Sequence, residues 1–266
     1  MNRTASALRE FRHIDDLAEG ISFIHSLHPG VKLLTTILYI VLVMSFGKYQ
    51  LAALCVMLLF PAALFALSGI SAATCFYKLR IVLIPICCVG IANPFFDRAP
   101  LLYLGDIAVS GGVISMITLM LKGMLCLCAS FLLIATTPMD SIAATLRRWH
   151  VPAFITTLLL LTYRYITVML KELSLMTDAY RLRSGGQKGI MKGAWGSFLG
   201  QLLLRSMDRA TELYQSMLQR GFDGSFRYLT VPAFRGSDTL FLLASFAALL
   251  IARYVNIAAW LGGLFV

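Results

Sequence analysis

Two arginines stand where a helix is expected to stop. Residues Arg209–Gly224 read as one amphipathic helix closed by glycine. Leu199, Leu202, Leu203, Ala210, Leu213, Tyr214 and Met217 fall on one stripe at helical spacing, and Arg205, Arg209, Glu212, Gln215, Ser216 and Gln219 on the other side. Gly221 suits the left-handed residue that ends a helix, and Arg220 in the last turn suits the negative end of the helix dipole. A shorter copy, Asp178–Gly186, lies upstream and ends in Arg183 before its glycines. A guanidinium is planar, always charged and matched to the two oxygens of a carboxylate. At a helix tip it either sits in water, adding roughly a few tenths of a kcal/mol to its own helix, or enters a groove on a partner and meets a carboxylate there. Two tips 37 residues apart (183 to 220) suit a partner with two equivalent grooves, such as a dimer.

Other reactive residue types lead less far. His25 and His28 are three apart and could share a helix face and a metal, but no acidic or cysteine partner accompanies them and Pro29 follows directly. Met116, Met120 and Met124 line one face of an apolar run, a spacing that serves helix packing more readily than passage of a soft metal. Cys55, Cys75, Cys87, Cys88, Cys126 and Cys128 lie in or beside apolar runs without a paired C-x-x-C pattern, and read as small membrane-embedded side chains. No phosphate loop G-x-x-x-x-G-K-[ST], no H-E-x-x-H, no nucleophile elbow and no paired intramembrane glutamates occur. No catalytic residue, metal ligand or cofactor site is therefore expected in this chain, nor enzymatic activity.

The elements that position the arginines follow from composition. Of 266 residues, 59% are hydrophobic and 14% charged, and the mean hydropathy is +0.79. Soluble domains are about half apolar and about a quarter charged, so the excess points to an integral membrane protein. The formal charge of +10 is then read as basic cytoplasmic loops, not as a nucleic-acid surface. No secretory signal is expected, because residues 1–30 are polar and carry Asp15, Asp16 and Glu19.

Four apolar runs are expected as spans: Val31–Phe46, Leu51–Ile70 with a tolerable kink at Pro61, Ile81–Phe96 broken at Asn93-Pro94, and Val113–Thr137 carrying Lys122, which must face protein or water. A polar patch with Lys78 and Arg80 precedes the third run, and Asp97–Gly112 is read as a loop. Asp140–Trp149 reads as a short helix. Ala153–Leu170 is apolar, but its core Phe154–Tyr163 is short for a span of about 20 residues and Arg164 interrupts it. Charge parity argues more strongly. With the N-terminus cytoplasmic, four spans return Thr137 to the cytoplasm, leaving 18 Lys and Arg inside, Lys48 and Arg98 outside, and Lys122, Arg164 and Arg253 within apolar runs. If 153–170 crossed, the ten Lys and Arg of Lys171–Arg235 would lie outside, against the positive-inside rule. It is read as a greasy helix under or against the membrane. A Gly-rich joint (Gly185, Gly186, Gly189, Gly193) separates the two arginine-tipped helices, Thr239–Phe265 is a fifth span, and no sheet is expected.

The fold expected is thus all-α and membrane-embedded, with about five spans. Residues 1–137 form a cytoplasmic lead-in and four spans, 138–238 a cytoplasmic helical module, and 239–266 the last span.

Several stretches together resemble a known family: Ile14-Asp15-Asp16-Leu17-Ala18, Leu27-His28-Pro29-Gly30-Val31-Lys32-Leu33-Leu34, Thr136-Thr137-Pro138-Met139-Asp140, Val151-Pro152 with Tyr163-Arg164-Tyr165, and Arg209–Gly224. They resemble, in order and over nearly the whole chain, the T component of energy-coupling factor transporters, nearest the cobalt-type CbiQ-like permeases. The tail Met217–Gly224 is the most specific part. The resemblance implies that two Ala-Arg-Gly-like motifs at the ends of coupling helices each insert into a groove of one subunit of an ABC-type ATPase dimer. By position they are Leu182-Arg183-Ser184 and Gln219-Arg220-Gly221. Both depart from the family pattern at the first residue, and the first also at the third. It further implies a separate substrate-binding membrane subunit (the S component), ATP and Mg held by the partner ATPases, a multi-pass location in the bacterial inner membrane and no nucleic-acid partner. The implied cargo is cobalt, with nickel or a vitamin as alternatives. A self-sufficient secondary transporter would need paired ionisable groups at a midplane site and usually an internal repeat. A membrane hydrolase would need the catalytic set that is missing.

Overall fold

In the computed structural model of the chain, the residues described are 15–96, 100–104, 107–185, 189–224, 226 and 234–254. They form α1 (Phe23–Ser26), α2 (Pro29–Met44), α3 (Leu51–Met57), α4 (Leu59–Ser68), α5 (Ala72–Phe96), β1 (Pro100–Leu104), β2 (Ile107–Ser110), α6 (Gly111–Thr136), α7 (Met139–Arg148), α8 (Ala153–Arg183), α9 (Trp195–Gln219) and α10 (Gly236–Tyr254). Four helices are long and apolar enough to cross a membrane: Ala73–Pro94, Gly111–Thr136, Ala153–Arg183 and Gly236–Arg253. Pro29–Met44 and Ala53–Ser68 are shorter apolar helices. This is an all-α, multi-pass membrane protein. It divides into two compact units, one drawn from Ala18–Pro138 and Pro232–Val266, the other from Met1–Leu17 and Met139–Val231.

The first unit is a helical bundle whose core joins Tyr39, Val43, Phe46, Leu54, Met57, Leu125, Ala129 and Leu249. Pro61 explains the shape of the second apolar run. Proline has no N–H to give the carbonyl four residues earlier, and the run divides into α3 and α4 around Leu58. The carbonyl so released is that of Met57, and the buried Tyr39 hydroxyl donates to it at 3.0 Å. Tyr39→Phe leaves that carbonyl unpaired in the core and is expected to cost about 1–3 kcal/mol, read as a lower melting temperature of the detergent-purified protein.

Polar groups gather at both ends of this bundle. At one end Asp238, 2% exposed, accepts the His28 N–H at 2.9 Å and the Arg235 N–H at 2.8 Å. The carboxylate thus faces the positive N-terminal ends of α2 and α10 together, where unpaired N–H groups favour an anion. Lys32, 5% exposed, donates to the carbonyls of Thr136 (2.8 Å) and His25 (3.2 Å). The His25 Nε2 donates to the Ala135 carbonyl at 3.3 Å. The start of α2, the end of α6 and the start of α10 therefore lie at one level. At the opposite end the Phe46 carbonyl accepts from Lys122, and the Arg253 guanidinium lies 4.5 Å from the centre of the Phe46 ring. Two of the three cations expected within apolar runs are held this way. From Lys32 to Phe46 the rise along the chain is roughly 21 Å at 1.5 Å per helical residue.

Three expectations are corrected here. The third run is not broken at Asn93-Pro94. Helix α5 continues through Pro85 and Pro94 to Phe96, and the Asn93 amide donates to the Ser115 hydroxyl on α6 at 3.3 Å. Lys78 and Arg80 lie within this helix, not in a patch before it, with Arg80 over the Tyr77 ring. The loop before α6 holds a short antiparallel hairpin in place of irregular chain, with Leu102 opposite Val109 and Leu104 opposite Ile107. The Gly105-Asp106 pair between those apolar residues is a hairpin-turn signal. The methionine face does pack: a Cβ on Gly90 of α5 would meet Met120 at 3.0 Å and Met116 at 3.6 Å. Cys75 and Cys128 are buried with their sulfurs 3.9 Å apart.

Candidate functional site

No glycine or proline interrupts Ala153–Arg183, and the structure makes it one helix of 31 residues, roughly 46 Å long. The greasy segment 153–170 and the run ending at Arg183 are one element, not two. Against α8 packs α7, which buries Ala143, Ala144 and Thr145. The Tyr163 hydroxyl donates to the Asp15 carboxylate, bringing together two of the stretches that carry the resemblance. Past Arg183 the chain turns through a short 3-10 helix, Lys192–Ala194, into α9. The Met191 N–H is held by the Tyr180 hydroxyl at 3.3 Å.

Helices α8 and α9 run antiparallel. Arg205 of α9 pairs with Glu172 of α8. One cavity, lined by Tyr180, Arg183, Phe198 and Arg205, lies beside the end of α8. A larger one, about 720 Å³ and lined by Leu161, Arg164, Met217 and Arg220, lies beside the end of α9. Arg220 is thus level with residues 161–165 of α8, about 20 residues from Arg183. At 1.5 Å per residue the two arginine tips are roughly 30 Å apart, at opposite ends of the helix pair.

Each tip is built by its own stop. At the end of α9, Gly221 has φ +77. Its N–H reaches the Leu218 carbonyl at 3.0 Å, and the Phe222 N–H reaches the Met217 carbonyl at 3.0 Å. These are the paired bonds of a Schellman stop, with Arg220 as the cap residue. At the end of α8 the cap is Ser184, which donates its N–H to Tyr180 at 2.9 Å, and Gly185 has φ +62. Both stops place a left-handed glycine directly after the cap, but the arginines do not occupy the same position in them. Arg220 is the cap residue, whereas Arg183 comes one residue before its cap and so is turned by about 100° around the helix. The triplets Leu182-Arg183-Ser184 and Gln219-Arg220-Gly221 therefore present their guanidinium groups differently. Gln219, Arg220, Gly221, Leu182 and Arg183 are exposed and Ser184 is half-buried. Neither Arg183 nor Arg220 pairs with an acid among the described residues. Gly221→Val puts a β-branched residue at a left-handed φ, a cost of about 1–2 kcal/mol. The expected result is exchange of the Phe222 amide faster by roughly tenfold, read by hydrogen–deuterium exchange.

The apolar stripe of α9 is less covered than its spacing implies. Phe198 is buried and Leu202, Leu213 and Met217 are half-buried, but Ala210 is exposed, as are Leu199 (53%), Leu203 (60%) and Tyr214 (54%). The two histidines have other uses than metal. The His28 Nδ1 accepts the Gly30 N–H at 3.0 Å, and the His25 Nδ1 accepts from the Ser22 hydroxyl at 2.6 Å. Among the described residues there is no group of three His, Cys, Asp or Glu side chains that could hold a metal ion.

Sequence reasoning missed Asp238 and the position of Arg164 beside Arg220. Asp238 three residues after Arg235 is a helix-start signal that was readable. The proximity of Arg164 and Arg220 depends on how α8 and α9 pair, which no local pattern encodes.

A helical membrane protein with two exposed arginine-tipped helix ends is the class these features define. The family model for the CbiQ cobalt transport protein matches residues 20–230, and the chain belongs to that family. It is 32% identical over 124 residues to the cobalt transport protein CbiQ of Rhodobacter capsulatus, covering 46% of this chain and 51% of that protein. It is 31% identical over 91 residues to the nickel permease LarQ of Lactiplantibacillus plantarum, covering 34% of this chain and 33% of that protein. An uncharacterized protein of Methanocaldococcus jannaschii is 26% identical over 137 residues, half of this chain and 47% of its own. The matched segments thus span about half of two of these relatives and a third of LarQ.

Proposed function

We propose that this chain is the energy-coupling transmembrane (T) subunit of an ATP-driven importer of the energy-coupling factor class, in the bacterial inner membrane with its N-terminus cytoplasmic. Two ABC-type ATPase subunits, which bind the ATP and Mg, dock on Arg183 and Arg220. Their closure moves the α8–α9 pair, and the movement passes to a separate substrate-binding S component. The chain itself is non-catalytic. The observation that carries this reading is the pair of exposed arginine tips, roughly 30 Å apart on antiparallel helices, a geometry suited to the two grooves of a dimer.

The level reached by the bundle ends supports a cytoplasmic module over residues 138–238. Because Thr136 and Asp238 lie at the same end of the bundle, the chain between them crosses the membrane an even number of times. Among the described residues of that stretch, α8 is the helix long and apolar enough to span, and α9 carries Arg205, Asp208, Arg209 and Glu212. A single crossing by α8 would break the parity, so the proposed reading keeps residues 153–170 under or against the membrane.

Cobalt is the proposed cargo, from the family. Nickel is the second reading, from the resemblance to a nickel permease. The test is uptake of radiolabelled cobalt into proteoliposomes, with nickel as competitor. Uptake is expected only when ATPases, S component and this chain are all present. Transport by this chain alone would overturn the coupling role, and stronger uptake of nickel than cobalt would transfer the cargo.

A further inference from the structure

The cavity beside Arg220 is walled by both helices of the pair. From α9 and its stop come Arg209, Glu212, Arg220, Phe222 and Asp223, and from α8 come Leu161 and Arg164. Arg209 faces Glu212 at 3.6 Å. Arg164 and Arg220, both exposed, pair with no acid among the described residues. Two guanidinium groups from different helices therefore border one open space of about 720 Å³ with apolar Leu161 and Phe222 between them. The cavity at the other tip differs. There Arg205 is already engaged by Glu172, leaving Arg183 as the cation without an acid.

We propose that Arg164 is a second docking residue of the Arg220 site, so that one acidic segment of the ATPase enters this cavity and is gripped by both arginines. The inference rests on the docking role proposed for Arg220 and adds an arm from α8. The occupant fits by charge: Arg164, Arg209 and Arg220 outnumber the two acids that line the cavity, Glu212 and Asp223, so carboxylates complement it, and bidentate arginine–carboxylate pairs supply geometric as well as electrostatic selection. The Arg183 site is gripped by one arginine and the Arg220 site by two, so the two ATPase copies are held unequally. A ligand held from both helices also fixes the spacing of α8 and α9, which gives the motor a direct grip on their separation.

The test measures affinity of the complete detergent-purified chain for the ATPase dimer, with R164Q, R220Q and R183Q singly and in pairs. R164Q and R220Q are each expected to weaken binding at least about thirtyfold. Their pair should weaken it by clearly less than the product, since both act on one acidic segment. R164Q with R183Q should give the full product. An R164Q affinity equal to wild type, with R220Q weakened, overturns the second arm and leaves the coupling function standing. Unchanged affinity in both R220Q and R183Q removes the coupling function itself. R164K keeps the charge without the fork and is expected to bind about threefold more weakly, which guards against misfolding of R164Q. Wild-type affinity in R164K together with a lowered melting temperature in R164Q would assign Arg164 to the fold and overturn the proposal.

Discussion

Arg183→Glu combined with Arg220→Glu is expected to release the ATPase subunits while the membrane bundle stays folded. Each reversal replaces an attraction with a repulsion. Losing one partner of a docked charge pair costs about 2–5 kcal/mol, at least thirtyfold in affinity for each site. The cost to the chain's own fold is far smaller. Both arginines are exposed, and a glutamate at a helix C-terminus costs about 0.3–1 kcal/mol against the dipole. Affinity purification of the tagged chain should therefore recover no ATPase and proteoliposomes should show no uptake, with an unchanged melting temperature. Each single reversal should weaken assembly less, because one groove remains occupied. ATPase subunits that co-purify in full with the double variant, with uptake retained, would defeat the docking role.

Asp238→Ala is the second change with a large expected effect, and it acts on the fold. It leaves the His28 and Arg235 N–H groups without their acceptor. Each buried N–H left unsatisfied costs about 1–3 kcal/mol. The expected result is a melting temperature lowered by several degrees in detergent and poor recovery from the membrane. Asp238→Asn should fall between the two, since an amide offers one acceptor oxygen and points a donor at the second N–H. A wild-type melting temperature in Asp238→Ala would show that α2 and α10 do not depend on this carboxylate.

Much of this architecture is legible from local pattern. Apolar runs reveal helices because a lipid-facing helix has to satisfy its backbone internally and cover itself with apolar side chains. Gly221 announces the end of α9 because only a residue without Cβ adopts φ +77 freely, and the lack of N–H in Pro61 foretells the interruption after Met57. Local pattern fails where two elements must meet. It does not say that the Tyr39 hydroxyl supplies the missing donor, nor that Lys122 and Arg253 converge on Phe46. It also divided Ala153–Arg183 in two, because a change from apolar to polar composition resembles a boundary when the helix simply passes from one environment to another.

By itself, then, the sequence determined that this is a helical membrane protein and which residues end its two arginine-tipped helices, since helix stops and apolar spans are short-range consequences of backbone sterics and hydration. The tertiary structure decided what those tips can do together. Antiparallel pairing of α8 and α9 sets Arg183 and Arg220 at opposite ends. It also brings Arg164 beside Arg220. The meeting of His28, Asp238 and Arg235 at one level was likewise decided there. Those relations depend on contacts between residues 33 to 210 positions apart, and such contacts are set by packing rather than by any local preference of the chain.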